Sequence, residues 1–251
     1  MRRFDLLRRA PDYRRLFVAT LASGVGTYLA AIALTVDVFE RTGSGKWVSA
    51  LLIAEFLPMV LVGLLLGPLV DRLSRRRLMI VSDLLRLGVF CLLPFAGSAL
   101  AVVGLAFVAG FATGFFRPAV YAGLPNLVDD EELPEANSLL QAVENLAWMV
   151  GPVAGGVLIA AQGPEAAYWL NAVSFLLSAV LIARIAERKL QAGTVESRGH
   201  WQDLGDGLRT VVRSPALVLV LVVWNVVLLG NAAVNVAKVV LAKVSLDAGD
   251  V

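Results

Sequence analysis

The sequence predicts an all-α membrane protein of about seven transmembrane helices, and two observations carry that prediction. First, 58% of the 251 residues are hydrophobic and the mean hydropathy is +0.76. Soluble domains hold roughly 45–50% apolar residues, so the surplus has no single core to fill and its natural solvent is lipid. Second, the apolar residues fall into runs long enough to cross a hydrocarbon core, which takes about 20 residues per helix. Charged connections separate most of these runs.

Taken in order, the first run is Leu16–Phe39, the second Trp47–Val70 and the third Leu78–Phe95. Leu100–Phe116 follows after a minimal Gly97-Ser98 turn. Ser138–Ala161 is the fifth, Ala166–Ile185 the sixth and Ala216–Ala237 the seventh. Basic residues set the orientation. Arg2, Arg3, Arg8, Arg9, Arg14 and Arg15 precede the first helix, and Arg72, Arg75, Arg76 and Arg77 lie between the second and third. Arg188, Lys189, Arg198, Arg209 and Arg213 lie between the sixth and seventh, whereas the other side carries only Arg41, Lys46, Lys238 and Lys243. Positive residues stay inside, so the N-terminus is expected in the cytoplasm and, after seven crossings, the C-terminus outside. The expected location is the plasma (inner) membrane.

Loop lengths divide the chain further. Residues 1–15 form a basic cytoplasmic N-terminus and residues 16–186 a six-helix block. Residues 187–215 form the longest linker, and residues 216–251 hold one more helix. Within the linker, Trp201–Val212 has the pattern of a short amphipathic helix on the membrane surface. Six helices, a linker and a single further helix read as one complete half and the start of a second. The last residues, Asp247–Val251, fall in what should be an external loop, so a truncated product missing its C-terminal half is expected.

Composition also excludes function classes. A formal charge of +2 gives no argument for nucleic acid. Cys91 and His200 are each the only residue of their type. That rules out an intramolecular disulfide and leaves almost nothing for a Cys/His metal site or a Cys–His nucleophile. The first apolar run is too long for a signal peptide. No predicted helix carries a His-rich, Ser/His or paired-carboxylate arrangement suited to catalysis, so no enzyme, cofactor or metal is expected.

The most specific sequence feature is Gly67-Pro-Leu-Val-Asp71-Arg72-Leu-Ser-Arg75-Arg76-Arg77, at the inner end of the second helix. The negative end of the helix dipole favours arginine there and disfavours Asp71, so the acid must gain from a partner; Arg75 lies one turn away if the helix persists. An orientation signal facing anionic headgroups explains the arginines but not the Gly-x-x-x-Asp-Arg frame. This stretch resembles the hallmark of the major facilitator superfamily, Gly-x-x-x-Asp-Arg/Lys-x-Gly-Arg/Lys-Arg/Lys. Gly67, Asp71, Arg72, Arg75 and Arg76 match it, and Ser74 replaces the second glycine. The resemblance implies a cytoplasmic gate whose acid bonds to a helix of the second half.

Two further segments carry the same resemblance. Gly151-Pro152-Val-Ala-Gly155-Gly156 in the fifth helix is similar to the family's antiporter motif, with Ala147 where an earlier glycine stands. In physical terms, Gly151 and Gly155 permit close helix approach and Pro152 frees a carbonyl; plain packing explains them equally well. Gly63-x-x-x-Gly67 and Gly110-x-x-x-Gly114 repeat the spacing and alone are weak. Phe116-Arg117-Pro118-Ala119, Leu124-Pro125, Ala136-Asn137-Ser138 and Asn171-Ala172-Val173-Ser174-Phe175 are similar to the branch containing macrolide and enterobactin exporters. The implied fold is a major-facilitator-type N-terminal six-helix bundle, a 3+3 inverted repeat, plus a seventh helix.

Ionisable residues inside the hydrocarbon are expensive, at about 2.5–3.5 kcal/mol for Asp or Arg on insertion scales, and mark candidate sites. Glu55 and Glu144 have no charged partner in their own helices and are the leading candidates for cavity lining or protonation. Asp83 and Arg86 share a face and can pair, as a structural ion pair or in transport. Asp37 sits near the outer end of the first helix, where water is expected to reach it. Asn231 and Asn235 share a face of the seventh helix, suited to interhelical hydrogen bonding or cavity lining. Protons are the candidate coupling ion, and two departures weigh against them. The fourth helix, Leu100–Phe116, holds no intramembrane arginine, whereas many drug–proton antiporters carry one there, and Gly26-Thr27 stands where relatives of this branch often have Gly-Asp.

The expected function is secondary transport, as an antiporter-type exporter of an amphipathic small molecule such as a drug, macrolide or siderophore. The alternatives are a fragment or structural membrane protein without independent activity, and a seven-helix receptor, which the arginine-rich N-terminus opposes.

Overall fold

The computed structural model describes residues 5–66, 73–190, 205, 209–227 and 230. A short helix, Asp5–Arg9, leads into six long ones: α1 Pro11–Thr42, α2 Gly45–Leu65, α3 Arg75–Leu92, α4 Ala99–Gly123, α5 Leu133–Gln162 and α6 Pro164–Ala183. All six are long and apolar enough to cross a membrane. A further apolar helix, α7, spans Pro215–Val227; at 1.5 Å per residue this stretch is about 20 Å long, short of a crossing. The rest of the predicted seventh run lies outside the described residues, and with it Asn231 and Asn235. Of the predicted surface helix Trp201–Val212, residues 205 and 209–212 are described, and all five are helical.

Two compact units divide the chain, Met1–Glu196 and Ser197–Val251. In the first, local chemistry explains where the helices start and stop. Pro11 opens α1, its missing N–H costing nothing there. Gly43 closes it in the left-handed conformation, φ 59°, with its N–H bonded to the Phe39 carbonyl. Ser74 caps α3 by accepting a hydrogen bond from the Arg77 N–H. The residue that departs from the hallmark glycine therefore supplies a helix start. Ser98 caps α4 in the same way. α4 does not end at Phe116: it continues through Arg117 and Pro118 to Gly123.

Each of the five dominant helix contacts follows one rule. α1 packs on α5 and on α6, α2 on α4, α3 on α4, and α3 on α6. Exchanging α1 with α4, α2 with α5 and α3 with α6 maps this set onto itself. A three-helix inverted repeat predicts this pattern.

Glycines set how closely the pairs approach. A Cβ on Gly26 of α1 would lie 2.4 Å from the Ser174 hydroxyl of α6. One on Gly151 would lie 2.5 Å from Cβ of Tyr28, and one on Gly155 2.7 Å from the Leu29 carbonyl, so both hold α5 against α1. Gly110 and Gly114 do the same for α4 against α2, with Cβ approaches of 2.3 Å to the Glu55 carbonyl and 2.7 Å to Val62. The small-residue spacing of α4 is thus a packing seam, whereas Gly63 faces open space.

The side chains bury into two clusters. One holds Leu34, Phe90, Tyr168 and Phe175. The other, toward the N-terminal face, holds Tyr13, Met79, Phe116, Leu140 and Leu190. Polar ties fasten both faces. On the N-terminal face the Tyr13 hydroxyl donates to the Ala136 carbonyl at 2.9 Å. On the opposite face Asp37 is buried, which corrects the expectation that water reaches it. It accepts from Arg41 at 2.6 Å and from the Tyr168 hydroxyl at 2.9 Å. Arg41 also donates to the Ala96 carbonyl at 2.7 Å, tying α1 to α6 and to the α3–α4 connection. Tyr168→Phe should therefore destabilise the unit by about 1.5–3 kcal/mol, the range for a hydrogen bond to a charged group. A thermal midpoint equal to that of the parent would show that the hydroxyl contributes nothing.

Candidate functional site

The extension of α4 brings together a site that the predicted helix ends kept apart. Arg117 projects from α4 and its guanidinium pairs with the Glu144 carboxylate of α5 at 2.6 Å. The Tyr121 hydroxyl, one turn further along α4, donates to the other oxygen of Glu144 at 3.0 Å. Glu144 lies 11 residues into α5, about 16 Å from its start at 1.5 Å per residue. Arg117 and Pro118 both lie inside α4, beyond the predicted helix end at Phe116. An internal proline is tolerated in membrane helices where neighbouring groups satisfy the freed carbonyl.

Exposure shows what this pair faces. The Glu144 side chain is 17% exposed and that of Arg117 49%. Gln141 and Asn145, beside Glu144 at helical spacing, are exposed. Around them the same helix exposes Leu146, Trp148, Met149 and Val153. A stripe of amide and carboxylate groups on an otherwise apolar face is costly against hydrocarbon and suits water or a protein partner. Glu55 on α2 is half-buried, and its backbone carbonyl meets Gly110 of α4. Gly110 precedes Arg117 by seven residues, so Glu55 sits about 10 Å along α4 from the pair.

Asp83 and Arg86 do pair, at 2.6 Å, and are 0% and 4% exposed. The Arg86 guanidinium also packs on the rings of Phe116 and Phe175, 4.4 and 4.3 Å from their centroids. The pair is thus enclosed by α3, α4 and α6, with its cation stacked on two rings. Of the hallmark sequence, Gly67, Asp71 and Arg72 lie outside the described residues. Arg75 and Arg76 open α3, and Arg76 donates to the Ala183 carbonyl at the end of α6. In the fifth-helix motif Gly151 and Gly155 face α1, Pro152 is half-buried, and Gly156 meets nothing within 4 Å.

Sequence reasoning missed Arg117 and Tyr121 as partners of Glu144, and Arg41 and Tyr168 as partners of Asp37. For Arg117 the apolar run ends at Phe116, and the proline beside the arginine disfavours a helix in water, so hydropathy alone does not carry α4 past it. For Tyr168, nothing local marks a hydroxyl that bonds across 131 positions of chain.

A family model described as Major Facilitator Superfamily matches residues 16–245. The chain belongs to the Major Facilitator Superfamily. Its membership agrees with the paired six-helix contact pattern and makes it a multi-pass membrane protein. Among curated superfamily relatives, the chain is similar to the multidrug efflux pump Tap of Mycolicibacterium fortuitum, at 31% identity over 223 residues, covering 84% of this chain and 54% of the pump. It is 32% identical over 224 residues to Tap of Mycobacterium tuberculosis (strain ATCC 25618 / H37Rv), covering 81% of this chain and 51% of that one. It is 27% identical over 227 residues to the MFS-type transporter YfiS of Bacillus subtilis (strain 168), covering 89% and 54%. The chain therefore spans about half the length of the curated relatives it matches.

Proposed function

We propose that this chain forms the first half of a secondary active transporter that exports amphipathic small organic molecules across the plasma membrane, with its N-terminus in the cytoplasm. The observation that carries the proposal is the polar stripe of α5, where Glu144, held by Arg117 and Tyr121, stands in an otherwise apolar face. In transporters of this architecture, substrate binds near mid-membrane at the interface between repeats. A site there needs apolar walls and a few fixed polar groups. Trp148 and Met149 offer the first beside Glu144, and Gln141 and Asn145 the second. The named activity of the Tap relatives, multidrug efflux, supports the direction and the substrate class.

Protons are the coupling ion of this proposal. Glu144, paired with Arg117 and Tyr121, is the acid assigned to that role. Glu55, with no partner among the described residues, is the second acid of the cavity. Gly67, Asp71, Arg72, Arg75 and Arg76 form the gate, closing against a second six-helix half. In a second reading the chain acts only as part of a larger transporter and moves nothing alone; its span, about half that of its relatives, supports that reading.

The test is ethidium efflux from cells expressing the protein from its own gene, with Glu144→Gln and Glu55→Gln made singly. Glu144→Gln should slow efflux on the order of tenfold, the equivalent of ~1.4 kcal/mol in a rate-limiting step, at unchanged membrane abundance. Unaltered efflux in both variants would remove the cavity assignment.

A further inference from the structure

We propose that the turn following α6 is a latch, which fastens the chain leaving the six-helix unit to the starts of α1 and α3. Beyond α6 the backbone makes a short 3-10 turn, Glu187–Lys189, followed by Leu190. Two of the turn's three charged side chains, Glu187 and Lys189, are engaged, while Arg188 is exposed. The Glu187 carboxylate lies 3.0 Å from the Arg77 guanidinium and 4.0 Å from that of Arg76. The Lys189 ammonium lies 2.9 Å from the Asp12 carboxylate at the start of α1. The Leu190 carbonyl accepts from the Arg75 N–H at 3.1 Å, which gives an amide of the first turn of α3 an acceptor outside its own helix. Just before the turn, Arg15 donates to the Arg184 carbonyl at 3.1 Å.

Leu190 completes the device. Its side chain is 0% exposed and joins the cluster of Phe116, Leu124 and Ile182. It reaches that position over Gly123, the last residue of α4, where a Cβ would stand 2.8 Å from its Cδ2. A leucine seated in a notch left by a glycine is a plug, and the charge pairs hold the turn over it.

Relative strengths show why several parts are needed. Arg77 is 74% exposed and Glu187 37%. An ion pair at such a surface contributes little by itself, whereas several charges sharing a network around a buried anchor act together. Arg76 belongs to the basic run of the hallmark sequence and Arg77 follows it directly, so part of that run contacts the exit of α6 inside the first unit. The fastened part of the chain therefore reaches Leu190 and does not stop at the end of α6.

The test uses the full chain with Cys91→Ser and Leu190→Cys, so that its only thiol sits in the plug. The readout is the rate of labelling by a charged maleimide in nanodiscs, which needs no substrate and stands apart from the transport proposal. Buried thiols label through transient opening, and the rate follows the open population. Glu187→Arg should raise the rate on the order of tenfold, and adding Arg77→Glu to that variant should bring it back toward the starting rate. If Glu187→Arg unfolds the chain, refolding by Arg77→Glu supports the latch as well. A rate unmoved by Glu187→Arg, or a charge swap that restores nothing, overturns it.

Discussion

Arg86→Leu should destabilise the six-helix unit by about 3–5 kcal/mol, the cost of removing one member of a buried ion pair. Asp83 would keep its place, 0% exposed, with its nearest cation gone. The substitution also removes the contacts of the guanidinium with Phe116 and Phe175, a further stabilisation of up to ~2 kcal/mol when desolvated. The double variant Asp83→Leu/Arg86→Leu separates the two costs. With both charges gone no group is left uncompensated, and much of the loss should return, since an apolar replacement of a buried pair is often near neutral. Both effects can be read as shifts in the thermal midpoint, using a thiol-reactive dye on Cys91, the only cysteine. If the double variant were as unstable as the single one, the ring contacts would outweigh the electrostatics. A parent-like midpoint for Arg86→Leu would mean that the pair contributes nothing.

Gly155→Ala and the neighbouring Gly156→Ala should shift stability in opposite directions. On Gly155 the new methyl would meet the Leu29 carbonyl oxygen at 2.7 Å and its Cα at 3.2 Å, both of them backbone atoms of α1 that cannot rotate away. Forcing a methyl into a packed seam costs typically ~1–3 kcal/mol. On Gly156 the methyl meets nothing within 4 Å, and the exchange of glycine for alanine inside a helix favours the helix by up to ~1 kcal/mol. The same dye assay separates them, with Gly155→Ala melting below the parent and Gly156→Ala at or above it. Equal losses from both would show that the motif acts through the backbone of α5 and not through its contact with α1. A transport defect in Gly156→Ala without a loss of stability would place its role on the face that α1 does not cover.

These two residues illustrate how far the sequence could be read. The spacing Gly151-x-x-x-Gly155 announces a helix approached closely on one side. It does not say which helix approaches, because any of the others could satisfy the same spacing. Gly110 and Gly114 carried the same ambiguous signal and turned out to line an equally tight contact with α2, while Gly63 lines none. Charge is similarly divided. Asp83 and Arg86 could be paired from the sequence because three positions of helix place them on one face. Glu144 could not be paired with Arg117, 27 positions away, because that requires both the true end of α4 and the rotation of α5.

The sequence by itself determined that this is a membrane protein of the major facilitator type. Length and apolar content of each run decide where lipid is the solvent, and the hallmark and helix-5 motifs are local strings of residues. Short-range chemistry also sets helix ends at Gly43, Ser74 and Ser98, since a cap acts within one turn. Only the tertiary structure decided the partners that lie on other elements. It gave Glu144 to Arg117 and Tyr121, Asp37 to Tyr168, and Glu187 to Arg76 and Arg77. The physical reason is the range of the interactions. Hydrophobic length and capping are summed over neighbouring residues, whereas a hydrogen bond or a close ion pair depends on a few ångströms, set by how whole helices pack and turn against one another.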